Sequence, residues 1–175
     1  GVNEFTDELL ELTKQYEMGM LTTQGFVNSF KTLFPSISEM DFKNAWNAML
    51  LDFPLYRLSF LKSLANSKKY RIFLLSNTND LHISWIKKTW GRKLFSEFKN
   101  CFEKFYLSHE IQLRKPNKNI YEFVIESNKL TPEETFFVDD TKENTITAIK
   151  LGVKSWNLNP NSEDVVDLFS KKEFN

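Results

Sequence analysis

The sequence predicts an α/β fold in which a helical N-terminal third precedes a doubly wound sheet of parallel strands. Two observations support this prediction. Residues 1–66 carry apolar side chains at helical spacing. From residue 70 onward, short apolar runs alternate with helical patterns, which is typical of an open parallel sheet covered by helices. Such sheets bind ligands at the carboxyl ends of their strands, so we expect the functional side chains there.

Four helices are predicted in the N-terminal third. The first has apolar residues at helical spacing from Phe5 onward, and the second follows Thr22-Thr23. Ser38 has the form of an N-cap with an acid three positions later, so it opens the third helix. Pro54 suits the first turn of the fourth helix.

Four strands are predicted in the remaining residues, at 72–75, near 102–107, at 135–138 and at 153–158. The run at 72–75 shows no alternation, which favours a strand buried on both faces. One helix should continue to about Trp90 and end at Gly91, and others should cover 120–127 and the residues from Lys142 to Gly152. Asn161 or Ser162 could cap a final helix.

The composition excludes several classes of protein. The 23 Lys and Arg residues balance 23 Asp and Glu residues, which argues against a charge-driven nucleic-acid or membrane partner. One cysteine excludes a disulfide framework and a Cys-based zinc site, and it suits a reducing cytosol. No apolar run is long enough to span a bilayer. The composition therefore predicts a cytoplasmic protein.

Asp139-Asp140 directly follows a predicted buried strand. Two adjacent carboxylates repel each other unless a cation lies nearby. Mg²⁺ is the expected cation because it prefers oxygen ligands and is usually held by one or two carboxylates plus phosphate. The alternative is that both acids cap the helix that follows.

Two further polar groups lie near predicted strand ends or loops. Ser76 and Asn77 follow the strand at 72–75 and precede a helix, so they form either an anion site or an ordinary N-cap. Lys115 precedes Pro116, which holds it in an extended loop conformation. There it could give a positive charge to a phosphate, or it could be one surface lysine among many.

The order of these groups resembles the haloacid dehalogenase superfamily, which consists mainly of Mg²⁺-dependent phosphohydrolases. Residues 75–79 (LSNTN) are similar to its second motif, residues 113–116 (LRKP) to its third, and residues 137–144 (FVDDTKEN) to its fourth. The resemblance implies a Rossmann-like doubly wound sheet with an α-helical cap. The cap would be residues 1–56 and the α/β core residues 57–175.

The resemblance also implies roles for individual residues. Ser76 and Asn77 would bind the phosphoryl oxygens, and Lys115 would neutralise charge. Asp139 and Asp140 would hold Mg²⁺, and Asn144 matches a position that supports the acidic loop.

The chain departs from this family at its first motif. The family's nucleophile is an aspartate in an Asp-x-Asp motif on a central strand before the cap, and this sequence contains no Asp-x-Asp. Without that strand, its neighbours would leave backbone groups unpaired. We therefore expect the sequence to be a truncated piece of a longer enzyme. The alternative is a natural pseudoenzyme.

The function expected from these features is a Mg²⁺-dependent phosphatase acting on a small phosphorylated metabolite, as a monomer or homodimer. A 2-haloacid dehalogenase on the same fold is one alternative, and it would need no metal. A non-catalytic phosphate-binding protein is the other.

Overall fold

A computed structural model describes residues 7–172 and residue 174 of the chain. These residues divide into two compact units, Gly1–Gln112 and Leu113–Asn175. Phe5, with which the first predicted helix starts, lies outside the described residues. The predicted division into a cap at 1–56 and a core at 57–175 stays a prediction.

The first unit begins with the four predicted helices. Ser38 is the N-cap of the third helix as expected, because its side chain accepts a hydrogen bond from the backbone N–H of Asp41. Thr22 caps the second helix in the same way, by accepting from the N–H of Gly25. Pro54 is the N-cap of the fourth helix and thus lies one residue before its first turn. The helices are α1 (Asp7–Glu17), α2 (Thr23–Leu33), α3 (Glu39–Asn47) and α4 (Leu55–Ser67).

Aromatic side chains from three of these helices form a buried cluster. The ring of Tyr16 stacks on that of Phe26 with 4.2 Å between centroids. Trp46 meets the same Phe26 ring edge-on at 4.8 Å. The cluster is completed by Val27 and Phe42. These contacts bury large apolar areas, and they fix α1, α2 and α3 against one another.

The first unit ends in an α/β segment. Strand β1 (Phe73–Ser76) pairs in parallel with β2 (Lys104–Leu107), and Ser76 lies opposite Leu107. Between them runs α5 (Asp80–Lys99), and the short α6 (Ser108–Ile111) follows β2. Gly91 leaves the helical conformation with φ 74°, but helical residues resume beyond it. The first helical stretch of α5 therefore ends at Gly91, as predicted, and a second stretch follows it. Phe95 and Phe98 of the second stretch contact Phe105 of β2.

The second unit contains the other parallel pair of strands. Strand β3 (Phe136–Asp139) pairs with β4 (Lys154–Asn157), and Asp139 lies opposite Asn157. The helices are α7 (Lys118–Asn128), α8 (Lys142–Lys150) and two 3₁₀ turns, Pro132–Glu134 and Val165–Ser170. The last turn is capped by Asp164 in a capping box, so the expected cap at Asn161 or Ser162 is wrong.

The α/β prediction is confirmed: parallel strands alternate with helices in a Rossmann-like order. The strands of residues 7–172 form two sheets of two strands each. All residues of β1 and β3 are half-buried. The burial of β1 does not alternate, so neither of its faces is fully exposed, although the strand is less buried than expected. Within the described part of the chain, no helix is both long and apolar enough to cross a membrane.

Candidate active site

A buried ion pair lies at the carboxyl end of β3. Asp139 is the last residue of the strand, and its Oδ2 atom lies 2.5 Å from Nζ of Lys115. The two side chains are 7% and 9% exposed. Nζ of Lys115 also lies 5.4 Å from the centre of the Phe137 ring, a cation–π distance. The predicted loop lysine and strand-end aspartate are therefore in direct contact, and neither is an ordinary surface charge.

The second carboxylate oxygen of Asp139 is held from the α8 side. Its Oδ1 atom accepts hydrogen bonds from the backbone N–H of Thr141 and from Nδ2 of Asn144, both at 2.9 Å. Asn144 is buried in the first turn of α8. The position assigned to Asn144 by the resemblance, as a support of the acidic loop, agrees with this contact. Asp139 therefore has both oxygens oriented by protein donors.

Tyr121 reinforces this arrangement from α7. Its hydroxyl donates a 2.9 Å hydrogen bond to the carbonyl oxygen of Asn144. Burial, with a smaller contribution from the negative charge of Asp139, raises the pKa of Tyr121 above its ordinary value of 10.0. The phenol therefore stays protonated and remains a donor at neutral pH.

Asp140 differs from its neighbour because it is exposed. Nδ2 of Asn157, at the end of β4, donates to the main-chain carbonyls of Asp139 at 3.2 Å and Asp140 at 3.0 Å. Asn157 thus fixes the backbone of the acidic pair, while the Asp140 carboxylate faces solvent. Sequence reasoning missed Asn157. Its signal was its place at the end of the predicted strand 153–158.

The helix-capping alternative for the two acids fits the geometry poorly. The N-cap of α8 is Thr141, and this cap makes no side-chain hydrogen bond. Asp139 accepts from the N–H of Thr141 itself, which precedes the first turn. Its main contacts are instead Lys115 and Asn144. The Asp139 carboxylate is therefore positioned by these two side chains and does not act as the cap of α8.

The donor set at this point fits Mg²⁺. No cluster of three or more His, Cys, Asp or Glu side chains that could hold a metal exists within residues 7–172 and 174. The candidate ligands are therefore the two adjacent carboxylates of Asp139 and Asp140, which would supply hard oxygen ligands. Mg²⁺ tolerates such a sparse set because it retains waters and takes phosphate oxygens as ligands. Zn²⁺ in a structural site requires three or four Cys or His ligands and does not fit.

The polar residues after β1 lie in the first unit. Ser76 ends the strand and is half-buried, and its hydroxyl makes a long 3.4 Å contact with the carbonyl oxygen of Asn77. The N-cap role belongs to Asn79, which accepts from the N–H of His82 at 3.1 Å. Ser76 and Asn77 thus precede the cap and are not used by it. Their predicted role as phosphate ligands, together with a shared pocket with Lys115 and Asp139, stays a prediction.

Ser108 and His82 support the residues after β1. The hydroxyl of Ser108 lies 2.9 Å from both the N–H and the carbonyl oxygen of Thr78. His82 bonds the carbonyl oxygen of Trp46 at 3.1 Å, and burial lowers its pKa below 6.5 despite that hydrogen bond. Sequence reasoning missed Ser108. Ser108 gave no local signal, since its partner lies 30 residues away.

Comparison with known proteins supports the predicted resemblance. Residues 60–158, more than half of the chain, match the model of the haloacid dehalogenase-like hydrolase family. The D-ribitol-5-phosphate phosphatase of Bacteroides thetaiotaomicron is 31% identical over 114 residues. The match covers 65% of this chain and 54% of that enzyme, so the chain spans about half the length of this relative.

Solved structures show the same fold. A haloacid dehalogenase (HAD) family enzyme of B. thetaiotaomicron in a magnesium complex is 34% identical, with a TM-score of 0.83, covering 94% of this chain and 82% of that one. A mutant of that enzyme with magnesium and inorganic phosphate is 34% identical with a TM-score of 0.81, covering 98% and 82%. A Porphyromonas gingivalis protein, described as a predicted HAD-like family hydrolase, is 26% identical with a TM-score of 0.77, covering 91% and 77%. Together with the geometry around Asp139, these matches show that the chain belongs to the haloacid dehalogenase-like hydrolase family.

Proposed function

We propose that this chain is part of a Mg²⁺-dependent phosphatase that acts on a small phosphorylated metabolite. The observation that carries the proposal is the Lys115–Asp139–Asn144 cluster beside the exposed Asp140 carboxylate. Its relatives support the same reading, since one is a ribitol-phosphate phosphatase and another was solved with magnesium and phosphate. A polyol phosphate is the substrate class that the first of these relatives favours.

The residues at the end of β3 would have distinct tasks. Asp139 and Asp140 would hold Mg²⁺, which would neutralise negative charge on the phosphoryl oxygens. Lys115 orients Asp139 through their ion pair and adds a positive charge to the same region. Asn144 and Thr141 fix the other oxygen of Asp139 so that the carboxylate does not rotate. Ser76 and Asn77 would donate hydrogen bonds to the phosphoryl group.

The covalent step needs a nucleophile that this chain does not identify. The family uses an aspartate of an Asp-x-Asp motif, and the sequence contains none. The proposal therefore concerns the full-length gene product, and its N-terminal sequence and intact mass will show whether that motif precedes Gly1. A cytoplasmic location, a monomeric or homodimeric state and the lack of nucleic-acid or membrane partners belong to the same proposal.

The test is a phosphatase assay of the full-length product on a panel of sugar and polyol phosphates, with Mg²⁺ and with EDTA. Phosphate release that requires Mg²⁺ is the expected result. Asp140→Asn should lower kcat/KM by about 100-fold or more, because it removes a metal ligand. Since Asp140 is exposed, this change should leave folding intact. Asp52→Asn, a change at another exposed aspartate, is the matched control and should keep full activity.

Two other outcomes would contradict the phosphatase proposal. Halide release from 2-haloacids without metal would identify a dehalogenase. Binding of phosphate without turnover, by an intact and folded full-length protein, would identify a non-catalytic binder. The non-catalytic phosphate-binding protein is tested as a second candidate because the sequence contains no Asp-x-Asp motif.

A further inference from the structure

We propose that Ser108 is a positioning residue that fixes the loop after β1, residues 76–79, in the shape needed to bind the phosphoryl group. This inference rests on the proposed function for its catalytic consequence. Its structural part, the anchoring of the loop, stands on contacts within the first unit alone. Ser108 follows directly after β2 and is fully buried.

One hydroxyl satisfies both backbone groups of one loop residue. The N–H of Thr78 donates to Oγ of Ser108 at 2.9 Å, and the Ser108 hydroxyl donates to the carbonyl oxygen of Thr78 at 2.9 Å. Thr78 itself is 5% exposed. Buried backbone groups require partners, and here the side chain of Ser108 supplies them where the strand ladder has ended.

The position of this contact explains its effect on the loop. The last ladder pair joins Ser76 to Leu107. Ser108, which follows β2 as the first residue of α6, reaches Thr78, two residues beyond β1. On the far side, Asn79 is buried and accepts from the N–H of His82 at 3.1 Å. Of the predicted phosphate ligands, Ser76 thus ends the β1 ladder, and Asn77 lies between it and two consecutive anchored residues.

Ser108 is itself held in place from the N-terminal helices. The next residue, His109, has its carbonyl oxygen against Gly19 in the α1–α2 turn, where even one added Cβ would overlap it. Gly19 has φ 66°, a conformation that glycine adopts without strain. The backbone around Ser108 is thus confined by close packing, so its hydroxyl has a fixed position.

A displaced phosphate loop would slow the reaction even if the protein stayed folded. Misplacing a binding group by about 1 Å can reduce the rate by about 100-fold. Ser108→Ala removes both hydrogen bonds to Thr78 without adding volume. Ser108→Thr keeps the hydroxyl and is the conservative rescue. Leu58→Ala, a core change in α4 outside the loop, is the control for a general loss of stability.

The first experiment measures kcat, KM and inhibition by inorganic phosphate in the full-length product. Ser108→Ala should lower kcat/KM by about 100-fold and weaken phosphate inhibition, while Ser108→Thr should recover most of the loss. Leu58→Ala should lower thermal stability and leave kcat/KM near its wild-type value. Equal kinetics in wild type and a folded Ser108→Ala, or equal losses in Ser108→Ala and Leu58→Ala, would overturn the proposal.

The second experiment does not depend on activity. Amide hydrogen exchange of residues 76–79 should become about tenfold faster or more in Ser108→Ala, relative both to wild type and to Leu58→Ala. Unchanged exchange of this loop would refute the anchoring role of Ser108. If the wild-type product releases no phosphate, the proposed phosphatase function fails, and the exchange measurement still decides whether Ser108 anchors the loop.

Discussion

The ion pair of Lys115 and Asp139 gives a prediction at the scale of single residues. Lys115→Met would leave the Asp139 carboxylate 7% exposed without its cation, and this should reduce the free energy of unfolding by about 3–5 kcal/mol. Lys118→Met removes an exposed pair with Glu122 and should cost at most about 1 kcal/mol. Urea unfolding of both variants provides the measurement. If both variants lost the same free energy of unfolding, the buried ion pair would contribute no more to stability than the exposed one.

His82 gives a second residue-scale prediction, on pH. Oδ1 of Asn79 accepts from the N–H of His82 and from Nε1 of Trp46, so its amide nitrogen faces Nδ1 of His82 as a donor. Nδ1 is therefore an acceptor, and the imidazole is neutral with its proton on Nε2, towards the carbonyl oxygen of Trp46. Burial lowers the pKa of His82 from 6.5.

The sign of the pH effect on stability follows from the lowered pKa of His82. Below pH 6.5 the unfolded chain binds a proton at this residue more readily than the folded chain does. The stabilising contribution is thus present above pH 6.5 and is lost as the pH falls through the lowered pKa of His82. His82→Gln should make stability less dependent on pH between 6.5 and about 5. His109→Gln, at the only other histidine of the sequence, is the control. A slope that is unchanged in His82→Gln would contradict the prediction.

At the scale of elements, the turn between α1 and α2 makes a steric prediction. Gly19 and Gly91 both have positive φ values, 66° and 74°. A Cβ at Gly19 would overlap the carbonyl oxygen of His109, whereas one at Gly91 would meet nothing within 4 Å. Gly19→Ala should therefore lose at least about 2 kcal/mol more stability than Gly91→Ala. If both variants lost the same stability in thermal or urea unfolding, the α1–α2 turn would be able to shift away from the carbonyl oxygen of His109 at little energetic cost.

The elements also show which features the sequence makes predictable. The caps at Thr22 and Ser38 were predictable because their partners lie three residues away. The break of α5 at Gly91 was predictable because glycine adopts a positive φ without strain. The contacts of Phe95 and Phe98 with β2 are hidden from such a local signal. The choice of Asp164 as the last cap was equally hidden, since several neighbouring polar residues could cap a turn.

The candidate site shows the same limit of prediction from local sequence signals. Asp139, Lys115 and Asn144 were predictable because short motifs around them resemble those of a known family. Ser108 was not, because it bonds the backbone of a segment 30 residues away. Asn157 bonds the backbone 17 residues away, and only its place at the end of a predicted strand marked it. A role defined by tertiary contacts to the backbone leaves little pattern in the surrounding sequence.

At the scale of the whole molecule, a ligand that binds the folded chain stabilises it. If Asp139 and Asp140 hold Mg²⁺, the ion at ten times its Kd should raise the free energy of unfolding by about 1.4 kcal/mol. Asp140→Asn should abolish the effect, while Asp52→Asn should retain it. Thermal unfolding with Mg²⁺, and with NaCl at matched ionic strength, is the measurement. An equal shift with both salts would show ionic screening and no site.

The charges around Asp139 have a consequence for the order of events. Lys115 cancels the charge of Asp139, and Asp140 leaves the cluster with one net negative charge. Occupancy by a divalent cation would reverse that sign. A phosphate dianion approaching the vacant cluster would meet repulsion, and one arriving after the cation would be attracted. Electrostatics would then favour the order in which the cation binds first and the anion second.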